Sequence, residues 1–284
     1  MRKVAFFFIA LMITTALFTC FSCTDKKPVA NADTILADSG VVDTSSTDTL
    51  EDIIAAQPMP KAADELFDDF FFNFAANRKL QRKRILFPLP VYRNGKIEKK
   101  IEKGQWRMEH FFMHQDFYTL IFDNRKQMNV VKDTTISHVV VEKIFFDIKT
   151  VQQFLFNRID GQWMMTSINY KPMYENKNAS FLKFFHRFVS DKDFQYSSIN
   201  DPLDFSGPDP DDDFGTMTGT LAPEQWSSFA PQLPEGMIYN IIYGQKYTES
   251  TQKIFCIRGI ANGLETELSF RKIGDRWKLV KLTM

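Results

Sequence analysis

One pattern occurs twice in this chain, 114 positions apart, and it constrains the fold more than any other feature. Phenylalanines at helical spacing are followed by a glutamine, an isoleucine and a Pro-Leu pair. The first copy contains Phe67, Phe70, Phe71, Phe74, Gln81, Ile85 and Pro88, and the second contains Phe181, Phe184, Phe185, Phe188, Gln195, Ile199 and Pro202. Self-similarity at a fixed period indicates a repeated structural unit. The sequence therefore predicts two copies of one domain, at 60–175 and 176–284.

Each copy has the same predicted order of elements. The i, i+3, i+4, i+7 spacing of the phenylalanines predicts a helix with one buried aromatic face, and a second short helix ends before the proline. A third helix is expected to begin at each Gln-Trp pair, Gln105-Trp106 and Gln225-Trp226. Strands with alternating apolar residues then follow to the end of each copy. The predicted class is α+β.

The N-terminus reads as an export signal. Arg2 and Lys3 precede an apolar run, 4–18, which is short for a membrane span. The cysteines that follow resemble a lipobox, in which a small residue precedes the lipidated cysteine. Ser22 favours Cys23 as the lipid attachment site, with Cys20 as the other candidate and an ordinary cleaved signal peptide as the alternative. We therefore predict a lipoprotein signal peptide at 1–22.

Residues 23–59 are rich in Thr, Ser, Asp, Ala and Pro and carry no apolar periodicity. Such a composition cannot bury enough surface to offset its ordering entropy, which predicts a flexible tether. Together, signal and tether predict a lipid-anchored protein of the bacterial cell envelope, in the outer membrane and facing the periplasm or the outside. Its membrane contact would be the N-terminal lipid.

Composition narrows the classes of partner. Lysine plus arginine equals aspartate plus glutamate at 35 each, and the net charges of 60–175 and 176–284 are +5 (19 basic, 14 acidic) and −2 (12 basic, 14 acidic). No predicted domain is therefore strongly basic, and nucleic acid is not expected as a partner. After processing at Cys23, Cys256 is the one remaining cysteine, so a disulfide framework is excluded. No cofactor motif is present, and no cofactor is predicted.

The order of elements and the closing hairpins, with Phe156 before Trp163 and Phe270 before Trp277, resemble the nuclear transport factor 2-like superfamily, which includes ketosteroid isomerases. The resemblance implies two tandem domains, each with helices packed in a strongly curved, mostly antiparallel sheet that forms a cone with an internal pocket. Superfamily members often pair through their sheets, which implies a monomer with an internal pseudo-dimer. The whole chain resembles uncharacterised Bacteroidota lipoproteins with this fold.

Residues that differ between the copies are the candidates for chemistry. His110 and His114, with Asp116 nearby, have the spacing of a two-ligand metal site or of a general base with an orienting carboxylate. A surface histidine pair is the favoured interpretation, because the pattern has no third ligand, and no metal site is predicted. Asp147, in an apolar run, is the carboxylate whose position suggests that it faces a pocket. A solvent-facing position at a strand edge is nevertheless the favoured interpretation of Asp147, and no catalytic role is assigned to it.

Two charged segments have competing interpretations. Asp209, Asp211 and Asp213 are spaced as in a calcium loop, but Gly215 is one place late and Thr220 replaces the bidentate glutamate, so a solvated acidic loop is favoured. The basic run 78–84 could meet anionic glycans, lipid headgroups or that acidic loop. A solvated helix face is the default interpretation.

The sequence leaves three functional classes. The leading hypothesis is a non-catalytic ligand-binding or scaffolding module whose ligand is a small apolar molecule, a peptide or an envelope polymer. The alternative is a lyase or isomerase that uses general acid-base chemistry in the pocket of the first copy. The third, a purely structural assembly partner, predicts no pocket and a large exposed apolar patch. Convergence of polar groups in a first-copy pocket would distinguish the enzyme from the binding module.

Overall fold

Both aromatic stripes form helices, and every phenylalanine of the two stripes is buried. The computed structural model describes residues 64–248, 250–260 and 262–284. The stripes lie on α1 (Phe67–Ala76) and α4 (Ala179–Ser190), which are followed by the short helices α2 (Arg78–Arg84) and α5 (Lys192–Ser197). The signal peptide, Cys20, Cys23 and the tether lie outside the described residues.

Twelve strands of the described residues form one mixed sheet. They are β1 (Leu89–Arg93), β2 (Lys96–Ile101), β3 (Phe117–Phe122), β4 (His138–Phe145), β5 (Thr150–Ile159), β6 (Gln162–Pro172), β7 (Ile199–Asp209), β8 (Asp212–Leu221), β9 (Met237–Ile242), β10 (Gln252–Gly259), β11 (Glu265–Ile273) and β12 (Arg276–Thr283). Their order in the sheet is β2-β1-β6-β5-β4-β9-β3-β10-β11-β12-β7-β8. The predicted α+β class is confirmed, with one large sheet and few helices.

The remaining helical segments are short. There are two α-helices of four residues, α3 (Arg125–Met128) and α6 (Trp226–Phe229). The other helical segments described are 3-10 turns at Lys103–Gln105, Phe111–His114, Asn129–Lys132, Met173–Glu175 and Pro223–Gln225. The helix expected at Gln105-Trp106 is therefore wrong: the 3-10 turn ends at Gln105 and Trp106 is extended, with its side chain buried. None of the helices described is long and apolar enough to cross a bilayer.

The two sequence halves exchange strands at the centre of the sheet. β9, from the second half, pairs antiparallel with β4 of the first half, whereas β3, from the first half, pairs antiparallel with β10 of the second. β3 and β9 meet in parallel at Thr119 and Asn240. A cut of the chain at 175/176 would therefore separate hydrogen-bonded strands.

The four central strands bury both faces. One hydrophobic cluster, which we call the α1 core, contains Leu120, Val141 and Ile241 together with the α1 phenylalanines. A second cluster, the α4 core, contains Ile121, Ile144 and Ile238 with the α4 phenylalanines. Because successive side chains of a strand point to opposite faces, the two cores lie on opposite sides of the same strands. This double burial explains why these strands read as nearly continuous apolar runs.

Candidate functional site

Aromatic rings fill the α1 core. The ring centroid of Phe71 lies 4.9 Å from Phe111, 5.4 Å from Phe112 and 5.6 Å from Phe156. All four side chains are buried, and the two concave sites described below lie outside this cluster. The interior that would hold a substrate in a hollow cone is occupied here by side chains.

A pocket of about 190 Å³ lies where the two sequence halves meet, and we call it the seam pocket. It lies beside β4, β5 and β6 and is closed by the turn before α4 and by the loop between β9 and β10. Its polar lining includes Glu142, Gln153, Lys171, Asn176, Gln245 and Tyr247. Residues of both halves thus build one site.

Glu142 is the buried charge of the seam pocket. Its carboxylate accepts hydrogen bonds from Gln153 Nε2 at 2.9 Å, Asn176 Nδ2 at 2.9 Å and Asn240 Nδ2 at 3.0 Å. Burial raises the pKa of the Glu142 carboxyl, while these three hydrogen bonds and the charge of Lys171 act in the opposite direction. The carboxylate therefore ties β5, β9 and the turn before α4 to β4.

Tyr247 links the seam pocket to a buried ion pair. Its hydroxyl donates to the carbonyl of Ile121 at 2.9 Å and accepts from Gln245 Nε2 at 3.1 Å. The ammonium of Lys253 lies 5.1 Å from the Tyr247 ring centroid and forms an ion pair with Asp123. Burial raises the pKa of Tyr247, so its hydroxyl stays protonated as a donor.

A larger cleft of about 480 Å³ lies between the ends of α4 and α5, the segment 230–235 and the first residues of β3 and β9. Val189, Phe117 and Met237 supply apolar surface, and Lys192 supplies positive charge. Most of its lining is neutral, and no close constellation of titratable groups points into it among the described residues.

The residues singled out from the sequence lie on the surface. His110 and His114 are exposed, with ring centroids 4.7 Å apart, and neither lines the seam pocket or the cleft. Asp116 is exposed in the turn before β3, with φ 58°. Asp147 is in the turn between β4 and β5, its side chain is 81% exposed, and it lies 3.8 Å from His186 Nε2. The structure places Asp147 facing solvent because the preceding residue, Phe146, takes the buried position.

Sequence reasoning missed Glu142, the carboxylate that does face inward. It belongs to the run Val139-Val140-Val141-Glu142-Lys143-Ile144, where a single acid interrupts apolar residues. Successive side chains of a strand point to opposite faces, so Glu142 lies on the other face of β4 from Val141. If β4 were buried on the Val141 face alone, Glu142 would face solvent. Burial of both faces is what makes this glutamate internal.

A second acidic residue, Asp68 of α1, has a shifted pKa. The hydroxyl of Tyr243 donates to Asp68 Oδ1 at 2.6 Å. Burial raises the pKa of Asp68 from 3.8 to about 6, against the lowering effect of that hydrogen bond and of Arg258. Burial together with the Asp68 charge raises the pKa of neighbouring Tyr118 to about 12.

Cys256, Glu265 and Glu267 come together, with potential ligand atoms within 4.8 Å of one another. Arg125 Nη2 lies 2.6 Å from Glu267 Oε2, and Arg258 Nε lies 2.8 Å from Glu265 Oε2. Burial raises the pKa of the Cys256 thiol. Because a metal requires deprotonated thiol and available carboxylates, this arginine-paired cluster is poorly suited to hold one.

The two charged segments are mainly exposed, and a few of their residues make structural contacts. In the basic run, Arg84 is buried and forms a bidentate pair with Asp64, at 2.9 and 2.7 Å. In the acidic loop, Asp209 Oδ1 accepts from the backbone N–H of Asp211 at 3.0 Å, within the turn that joins β7 to β8. Asp212 Oδ1 likewise accepts from the N–H of Phe214 at 3.1 Å.

The fold and the family follow from comparison with known proteins. A crystal structure of an NTF2-like protein from Bacteroides fragilis NCTC 9343 is 41% identical, with a TM-score of 0.74 over 80% of this chain and 98% of that one. This similarity confirms the nuclear transport factor 2-like fold. No curated protein matches the sequence. Residues 46–284 match the family described as Domain of unknown function (DUF4348), and the chain belongs to that family.

Proposed function

We propose that this protein is a lipid-anchored component of the bacterial cell envelope that acts as a non-catalytic binding module, with the seam pocket as its ligand site. The observation that carries this proposal is that hydrogen bonds fix the buried carboxylate of the seam pocket in place. Glu142 accepts hydrogen bonds from three amides, so it is fixed as an acceptor, and aromatic rings fill the α1 core. Such an arrangement suits holding a ligand.

General acid-base catalysis is less well supported. A catalytic acid or base must reach the reacting group with a pKa near the working pH. Asp147 and the His110/His114 pair, the candidates for that role, are exposed and lie outside both concave sites. The lyase or isomerase alternative would have to rely on Glu142, whose carboxylate oxygens both have amide partners, or on Asp68, which has a raised pKa but lines neither concave site.

We further infer that the two halves are copies of one NTF2-like unit, and that the chain is a monomer with an internal pseudo-dimer. Phe70 packs against Phe156 at 6.1 Å, as Phe184 packs against Phe270 at 5.5 Å. Outside the aromatic stripes, Trp106 Nε1 donates to Gln81 Oε1 at 3.1 Å, and Trp226 Nε1 donates to Gln195 Oε1 at 3.0 Å. Counted inward from one edge, the strand order is β2-β1-β6-β5-β4-β9, and from the other edge it is β8-β7-β12-β11-β10-β3. Each strand of one half thus has the same position as its counterpart in the other half.

Purification of the full chain from its native envelope tests the binding function. We expect native mass spectrometry in detergent to reveal a small co-purifying molecule. That molecule should be lost from a Lys171→Trp variant, in which a bulky ring covers the pocket rim. Lys183→Trp, an exposed change on α4, is the matched control and should retain it. Retention of the molecule by Lys171→Trp, or its chemical conversion by the protein, would contradict the proposal.

The anchor is tested by feeding the cells an alkyne-bearing fatty acid. We expect the full chain to become labelled, the Cys23→Ser variant to lose the label and the Cys20→Ser variant to keep it. Sedimentation of the same detergent-solubilised protein should give the mass of one chain; an obligate dimer would contradict the internal pairing.

A further inference from the structure

Charge is unevenly distributed in the seam pocket. At its buried end lies the carboxylate of Glu142, which is 1% exposed. At the solvent end are the half-buried Lys171 and the exposed Lys177 and Glu175. The buried end is therefore negative, and two of the three charged groups at the rim are positive.

Hydrogen bonding reinforces this polarity. The amide nitrogens of Gln153 and Asn176 already donate to Glu142, and that of Gln245 donates to Tyr247. Since each carboxylate oxygen can accept about two hydrogen bonds, Glu142 Oε2, which accepts one from Asn240 Nδ2, keeps acceptor capacity. A donor with positive charge fits this end, whereas an anion would be repelled by the buried carboxylate.

Size limits the ligand further. A volume of about 190 Å³ is equivalent to roughly six water molecules at ~30 Å³ each. Pockets for drug-sized ligands usually measure about 300–1,000 Å³. The seam pocket suits a molecule of amino-acid size.

We propose that the seam pocket binds a small zwitterion of the amino-acid type, with its ammonium group at Glu142 and its carboxylate at Lys171 and Lys177. This inference rests on the proposed binding function and adds the chemical class of the ligand. The rim lysines select the carboxylate, and the buried glutamate selects the amine.

Three probes of matched size test the charge pattern: alanine, either enantiomer, as the zwitterion, alaninamide as the cation and propionate as the anion. Binding to the full chain is measured by calorimetry. We expect alanine to bind about tenfold or more tightly than either of the other two, because each lacks one of the two charge pairs. Equal affinities for the three probes, or preferential binding of propionate, would overturn the ligand class.

Two variants locate the binding energy. Glu142→Gln should weaken alanine binding about tenfold or more, because a buried charge pair is lost. Lys171→Gln, on the half-buried rim, should reduce the preference for alanine over alaninamide, because the carboxylate loses its partner and the cation loses a repelling charge. This variant also serves if Glu142→Gln fails to fold. Lys183→Gln on α4 is the control. Unchanged alanine selectivity in Lys171→Gln would overturn the assignment of the rim.

The ligand class and the binding function can fail separately. If the envelope-purified chain carries a molecule that Lys171→Trp loses, but alanine is not preferred, the class is wrong and the binding function stands. If the chain carries no such molecule and binds none of the probes, both are wrong.

Discussion

Asp123 and Lys253 form a buried ion pair that joins the two sequence halves. Asp123 follows β3, and Lys253 lies in β10; their side chains are 3% and 4% exposed. Lys253 Nζ also donates to Asn178 Oδ1 at 2.7 Å, and the backbone N–H of Thr248 donates to Asp123 Oδ2 at 2.9 Å. The pair therefore lies at the C-terminal end of the exchanged strand β3, beside its partner strand β10.

Replacing Lys253 by methionine should destabilise the protein strongly. The carboxylate of Asp123 would stay buried without its counter-charge, which costs about 3–5 kcal/mol. Urea unfolding of the variant measures this loss. Adding Asp123→Asn should recover part of it, because the unpaired charge is removed.

An exposed ion pair provides the control for Lys253→Met. Arg93 Nε lies 2.9 Å from Glu98 Oε1, with both side chains more than a third exposed. Glu98→Gln should therefore leave the free energy of unfolding nearly unchanged. Equal effects of the two variants would mean that burial does not strengthen the Asp123–Lys253 pair.

Replacing Phe156 or Phe270 by alanine should cost similar amounts of stability. Phe156 lies against the α1 phenylalanines and Phe270 against the α4 phenylalanines, at centroid distances of 5.4–6.1 Å and 5.3–6.4 Å. Each truncation should lower the free energy of unfolding by about 3–5 kcal/mol. Phe214, 99% exposed, is the matched control, and Phe214→Ala should be nearly neutral. A small effect at one buried site would contradict equivalent packing.

Unfolding should occur in a single transition. β4, β9, β3 and β10 contribute to both the α1 core and the α4 core, so neither core can lose these strands alone. Phe156→Ala and Phe270→Ala should each lower the midpoint of the same transition, followed by far-UV circular dichroism and by tryptophan fluorescence. Two separate transitions would show that the halves are independent.

The aromatic helices could be predicted because their signal is local. Four phenylalanines at helical spacing define the buried face of α1 without any knowledge of its partners. This helix prediction is confirmed. The hairpin turn at Asn94-Gly95, which has φ 50° and 77°, is an equally local feature, because this residue pair favours positive φ.

The exchange of β3 and β9 could not be predicted. The central strands are all mostly apolar, so composition does not say which pairs with which, and Thr119 lies 121 positions from its partner Asn240. Glu142 was missed for the same reason: its burial depends on Asn240, which belongs to β9, and on Asn176 before α4. The candidate site is made of non-local contacts, which no local pattern encodes.

Stability should fall as the pH rises through the shifted pKa of Asp68. The pKa is 3.8 in the ordinary carboxyl and about 6 in the folded protein, so between these values the folded state holds a proton that the unfolded chain has released. The contribution of Asp68 is therefore fully present below pH 4 and is lost between pH 4 and about 6. Since one pKa unit corresponds to about 1.4 kcal/mol, the loss is at most about 3 kcal/mol.

Asp68→Asn should remove this part of the pH dependence, which is measured as the difference between the variant and the unmodified protein in urea unfolding from pH 4 to 7. Asp69→Asn, at the exposed neighbouring position, is the control and should change the profile far less, because the charge of Asp69 is the smallest of the influences on the pKa of Asp68. An unchanged profile in Asp68→Asn would contradict the raised pKa.

Cys256 should be inert in the folded protein. It is buried in β10, and burial raises the pKa of its thiol, so the reactive thiolate is scarce at neutral pH. A Cys20→Ser and Cys23→Ser double variant of the full chain leaves Cys256 as the single cysteine that a thiol reagent can modify. We expect it to react slowly with a disulfide reagent such as dithionitrobenzoate in buffer and rapidly in concentrated urea.

The Lys253→Met variant, weakened three positions away in the same strand, should react faster in buffer, because transient unfolding exposes the thiol more often. Rapid labelling of the Cys20→Ser and Cys23→Ser double variant in buffer would mean that β10 opens far more readily than expected for a strand buried between two cores.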